Sequence, residues 1–322
     1  MSNRIFRCLA VCAALAAPFA PATAATYPDK PVRIVVNFPA GGPLDVVARL
    51  LAKQAGDKLG GTVVVDNRAG ASGNIGAESV ARAAPDGYTL LMTLDTLVTV
   101  NPSAFRQMTF DPATDLVPIG LAGEFTQVLV THPSLQTPDY AAFVTRAKAE
   151  DLSYASAGVG SPGHLPYELL KEKAGIQGTH VAYRGNAPAL IDLVGGQVPV
   201  GFLALPTALS FIESGKLVPL LVPGQTRQPL LPNVPSAAEV GLKDFDVGFA
   251  FVLMTPKGTP ESVRSTWEKI LADTFADASV RTTLVPLAIT PVSTDAARAT
   301  TWLKTAADRW HTVIERGNIR LD

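Results

Sequence analysis

Three short runs carry the residue types that could do chemistry. The first is FPAGGPLD, Phe38 to Asp45, where an apolar run stops, Ala40, Gly41, Gly42 and Pro43 turn the chain, and a helical pattern starts. The second is AGVGSPGH, in which Ala157, Gly158, Val159, Gly160 and Ser161 precede His164. The third is Arg184, which follows an apolar run and precedes Gly185-Asn186. Backbone N–H groups opening a helix lack intrahelical partners, and with the helix dipole they form an anion site. Glycine lets an anion approach without a Cβ in the way. Read locally, each turn either holds an anion or only joins two elements. Arg184 either pairs with a ligand carboxylate or is a surface loop residue. His164 either donates to an anion or caps its helix and packs. Phe38 and Phe202, near the ends of apolar runs, either wall a pocket or sit in the core.

Other chemistries fit poorly. GVGSPG formally matches GxGxxG, but Pro162 stiffens the turn, and the next apolar run, His180-Val181-Ala182-Tyr183, ends without an acid to hold a ribose. NAD is therefore not expected, nor any other cofactor. No GxxxxGK[ST] loop occurs, and Ser161 and Ser72 each miss the GxSxG elbow by one position. A hydrolase or isomerase using His164 as base on Ser161 remains a rival reading. His132, His164, His180 and His311 show neither HExxH nor i,i+3 or i,i+4 pairs, so no metal site is expected.

The elements that must position these runs alternate between strand and helix. Val32 to Asn37, Val63 to Val65 and Tyr88 to Met92 read as strands, separated by helical patterns over Asp45 to Leu59 and Ile75 to Ala84. The grammar repeats from Ser153 to Val222, and two amphipathic helices follow, Glu261 to Phe275 and Thr294 to Arg316. Such order predicts doubly wound parallel sheets. We read two α/β units: residues 25–124 with 250–322, and residues 125–249. Strand crossings near Glu124 to His132 and Asp246 to Met254 join them. Open α/β sheets bind ligands at the carboxyl ends of their strands, so the loops face a cleft between the units.

The first 24 residues read as a secretory signal: Arg4 and Arg7, an apolar core from Cys8 to Ala17, and Ala22-Thr23-Ala24 before a cut at Ala25. The apolar run is too short to span about 30 Å of hydrocarbon. Cleavage removes both cysteines and two arginines, leaving 25 basic against 28 acidic residues, a net charge of −3. No basic stripe suggests nucleic acid. A 322-residue chain with 47% hydrophobic residues can bury its core without disulfides.

Six collinear stretches carry a resemblance over nearly all of the mature chain: YPDKPVRIVV, FPAGGPLDVVARLL, VVVDNRAGASGNIGAESVARAAPDGYTLL, LSYASAGVGSPGHL, GNAPALIDLVGGQV and LPNVPSAAEVGL. They resemble the Bug family, the extracytoplasmic solute receptors of tripartite tricarboxylate transporters. The resemblance implies a two-lobed periplasmic binding protein of type II-like α/β fold, each lobe a doubly wound sheet, monomeric and closing on a small ligand. It implies that the loops at Phe38 to Asp45 and Ala157 to His164 clasp a carboxylate, mainly through backbone amides, hydroxyls and bridging waters. It implies delivery to membrane transporter subunits; a sensing role through a sensor kinase is the alternative. Pro43, Leu44 and Val159 depart from the family's usual residues, and Leu203 stands after Phe202 where many members have Asp. The expected ligand is therefore an organic acid without an α-amino group, less polar than citrate.

Overall fold

The computed structural model describes residues 27–245 and 247–319. The expected leader, residues 1–24, and its cleavage point before Ala25 lie outside the described residues. The chain begins with β1 (Val32–Val36), α1 (Pro43–Leu59), β2 (Val63–Asn67), α2 (Asn74–Ala81) and β3 (Thr89–Leu94). β4 (Leu116–Phe125) and β5 (Gln127–Thr131) follow, separated by one residue. Then come α3 (Tyr140–Ala149), β6 (Ser153–Ser156), α4 (His164–Ala174), β7 (Thr179–Ala182), α5 (Asn186–Val194), β8 (Val200–Ala204), α6 (Leu205–Glu213) and β9 (Val218–Leu221). The rest is β10 (Phe249–Pro256), α7 (Glu261–Ala276), α8 (Ala278–Leu284), β11 (Ile289–Thr290) and α9 (Ala296–Arg316).

These strands form two sheets, one in the order β11-β4-β10-β3-β1-β2, the other β7-β6-β8-β5-β9. The chain leaves the first sheet at Phe125 and enters the second at Gln127; it returns at Phe249. Each sheet is mixed, which corrects the expectation of parallel sheets. β1, β2 and β3 pair in parallel, but β10 runs antiparallel to both β3 and β4, and β5 antiparallel to both β8 and β9. The strands that carry the chain across enter each sheet from the opposite end, which reverses their direction.

Burial on both faces explains why β1 is apolar at every position but the exposed Arg33. Val32, Ile34 and Val36 point into one core and Val35 into another, where it meets Ala77, Leu91 and Val252. Such two-sided strands need no polar alternation. The C-terminal helix serves both units: Ala299 and Leu303 pack on the first sheet, while Arg316 pairs with Glu172 of α4 at 3.1 Å.

Asp95 ends β3 with no exposure. It accepts the Ala250 N–H at 3.1 Å, but burial dominates and pushes its carboxyl up to about 7. The folded value lies above the unfolded one of about 3.9. The stability this proton gives is thus present below that value and lost as pH rises through about 7. Asp95→Asn should raise the melting temperature more at pH 8 than at pH 5, to within about 1 unit of pH; equal shifts would show that Asp95 does not titrate there.

Candidate functional site

The first loop is built around one carboxylate. Asp45 Oδ2 accepts the Gly41 N–H at 3.0 Å and Arg49 Nε at 2.9 Å, and Oδ1 accepts Asn67 Nδ2 at 3.0 Å. Asn67 also donates to the Phe38 carbonyl at 3.2 Å. Burial would raise the Asp45 pKa, but the bonds from Arg49, Gly41 and Asn67 outweigh it and hold the carboxyl below its usual range. Gly41 adopts φ 83°, which glycine reaches without strain. The loop is thereby fixed with Gly42 as the N-cap of α1, without a side-chain cap. Asp45 itself faces inward at 4% exposure, a correction: it braces the loop and does not line the cleft.

The second loop rests on a stack of rings, three buried and His180 partly so. His164 lies over His180 with centroids 4.0 Å apart, and Tyr154 and Tyr167 continue the column at 4.9 and 3.7 Å. The Gly160 N–H donates to His164 Nδ1 at 3.0 Å, which requires an unprotonated Nδ1. Burial first, then neighbouring His180 and Lys171, pulls His164 down to about 3; burial and Lys171 pull His180 down to about 4. His180 Nε2 lies 2.7 Å from Ser156 Oγ, to which Ser161 Oγ donates at 3.2 Å. Neutral His164 therefore accepts a bond from the loop at Nδ1, its Nε2 lies 4.0 Å from Glu168, and it does not line the cavity, correcting the expectation that it donates to the ligand. It is not seated as a base on Ser161 either, since Ser161 donates to Ser156. Gly158, at φ 129°, turns the chain beneath Tyr183 and does not line the cleft.

Phe202 and Leu203 are also corrections. Both are fully buried on β8, Phe202 in the core that reaches the first sheet and Leu203 on the other face. Alternation along a strand buried on both faces leaves neither ring nor branch for a ligand. A Cβ at Gly163 would sit 2.1 Å from the Phe202 carbonyl oxygen, so it is that residue's backbone that supports the loop.

The remaining candidates converge. Phe38, Ala40, Gly41, Gly42 and Pro43 from the first loop meet Ala157, Val159, Gly160, Ser161 and Arg184 from the second sheet around one cavity of about 540 Å³. Several loop amides that could have faced an anion are already engaged: Gly41 with Asp45, Gly158 with Ser156, Gly160 with His164 and Ser161 with the Gly158 carbonyl. The starts of α1 and α5, capped by Gly42 and Gly185 without side-chain help, supply the open ends facing the cavity. Arg184 is exposed at its rim and, among the described residues, is the one charged side chain in its wall.

Sequence reasoning missed the aromatic part of the lining. Phe125 and Phe251 stack there at 4.8 Å, and Ile289 with Thr207 and Phe211 of α6 also line the cavity. Thr207 Oγ1 is covered and lacks a protein partner. Pro206 at the start of α6 was the available signal, since proline favours the first turn of a helix.

Comparison with known proteins agrees with this architecture. A family model described as the tripartite tricarboxylate transporter family receptor matches residues 47–319. Protein BugT of Bordetella pertussis is 33% identical, with 99% of each chain covered. The structure of periplasmic binding protein BugD is 33% identical at TM-score 0.84, covering 91% of this chain and 99% of that one. A structure titled R. palustris Rpa4515 with adipate is 31% identical at TM-score 0.87, again covering 91% and 99%.

Proposed function

We propose a function from one premise: this chain belongs to the tripartite tricarboxylate transporter receptor family. Its two-lobed α/β fold is that of periplasmic binding proteins. The protein acts as an exported carrier that captures a small organic carboxylate between its lobes and hands it to a tripartite-type membrane transporter. The moving units are residues 25–124 with 250–322, and residues 125–249. The observation that supports this most is the cavity wall, which draws on loops of both sheets and carries one charge, the positive charge of Arg184. A ligand favours closure only through contacts made from both units at once. Adipate in the similar protein is a carboxylate of this general size.

No carboxylate side chain is among the lining residues, and Asp45 is turned away and fully engaged. An α-amino group would therefore enter without a counter-charge, which favours acids lacking one. The same family assignment, together with the engagement of Ser161 and His164 within the loop, supports a carrier that leaves its ligand unchanged. Arg184→Gln tests the carboxylate assignment. A charge-assisted hydrogen bond contributes about 1.5–3 kcal/mol, so titration calorimetry should show affinity falling roughly 10- to 100-fold. Unchanged affinity would remove Arg184 from the site.

A further inference from the structure

We infer that the preferred ligand is an aromatic monocarboxylate, with one charged end at the Arg184 side and an apolar ring against Phe125 and Phe251. This rests on the carboxylate-carrier reading and narrows it.

The cavity lining is uneven. Its one cation, Arg184, is exposed, and the uncapped starts of α1 and α5 also belong to the lining. Its buried part is apolar: Phe125 and Phe251, 6% and 1% exposed, stack with an interplanar angle of 19°, and Ile289, Leu287 and Phe211 line the cavity with them. The backbone of that buried part is committed to the sheet, since Phe251 pairs with Leu94 and Gly123, and Ile289 with Phe125. A second carboxylate placed there would lose its water and find no cation, only the Thr207 hydroxyl, a heavy penalty for a full charge. A ring placed there gains apolar burial and edge or face contact with the Phe pair. The volume of about 540 Å³ also suits a ring-bearing acid, since pockets of roughly 300–1,000 Å³ bury most of such a ligand.

The test uses ligand-stripped mature protein and titration calorimetry with benzoate, 3-phenylpropanoate, cyclohexanecarboxylate, terephthalate, adipate and malate. An aromatic monocarboxylate should bind at least about tenfold tighter than any of the dicarboxylates. Leu287→Lys puts a cation in the apolar part from a position that is 37% exposed, so folding is spared and checked by circular dichroism. It should weaken the monocarboxylates and strengthen adipate or terephthalate. Tightest binding of a dicarboxylate, or of cyclohexanecarboxylate, overturns the inference and leaves the carboxylate reading standing. Binding by none of the six overturns both. A Leu287→Lys protein with an unaltered order of preference also overturns the inference.

Discussion

Acidification from about pH 7 to about pH 5 should remove roughly 3 kcal/mol of stability from the lobe that holds His164 and His180. Both imidazoles are neutral in the fold, drawn down to about 3 and about 4, against about 6.5 unfolded. A depressed pKa gives stability that is present above the unfolded value and lost as pH falls toward the folded one. At pH 5 the unfolded chain holds a proton on each ring; in the fold a proton on His164 Nδ1 would break the Gly160 contact, and burial disfavours the charge on both rings. His164, at 5% exposure, contributes about 2 kcal/mol of this. His180 is partly open to solvent and contributes less. Hydrogen exchange of α4 and β7 amides resolves this lobe from the first, where Asp95 shifts stability in the opposite direction. His164→Asn, whose Oδ1 stands where Nδ1 did and can still accept from Gly160, should lose only about a third as much as wild type on acidification. Equal losses in the two proteins would show that His164 is not the titrating group.

Gly42→Leu should abolish ligand binding while leaving the fold intact. Gly42 has φ −81°, a conformation open to any residue, and a Cβ there meets only the Pro39 carbonyl oxygen at 3.7 Å. A leucine side chain therefore grows into the cavity and not into the core. We expect affinity to fall by about 100-fold or more, equivalent to roughly 2.7 kcal/mol, with ligand-free stability lowered by about 1 kcal/mol, since leucine is a poorer N-cap than glycine. Calorimetry with any bound carboxylate reads the first number and chemical denaturation the second. Binding like wild type would show that the first loop does not face the ligand.

Much of this architecture was legible in the residues. Short apolar runs and their Gly-Pro punctuation located β1, β8 and β10, because strands buried on both faces need little polar alternation. His164–Ala174 was readable to its ends, with Gly163 before it and Gly175 after it. The loops could be placed at strand ends, but the direction of their side chains could not. Asp45 was counted a ligand contact because it ends the first loop, whereas its bonds to Gly41, Arg49 and Asn67 arise only when β1, β2 and α1 come together. Phe202 and Leu203 were adjacent to the site in sequence but lie behind it in space. The Phe125, Phe251 and Ile289 wall joins segments over a hundred residues apart through the antiparallel pairing of β4, β10 and β11, which no local pattern announces.

The most direct test of the central claim is thermal unfolding of ligand-stripped mature protein against a panel of carboxylates, amino acids and NAD, with the added compound quantified afterwards. A ligand at a hundred times its dissociation constant should add about 2.7 kcal/mol. The carrier account predicts that a carboxylate lacking an amino group gives this shift and is recovered unchanged. Stabilisation by amino acids or NAD alone, or consumption of the compound, would contradict it.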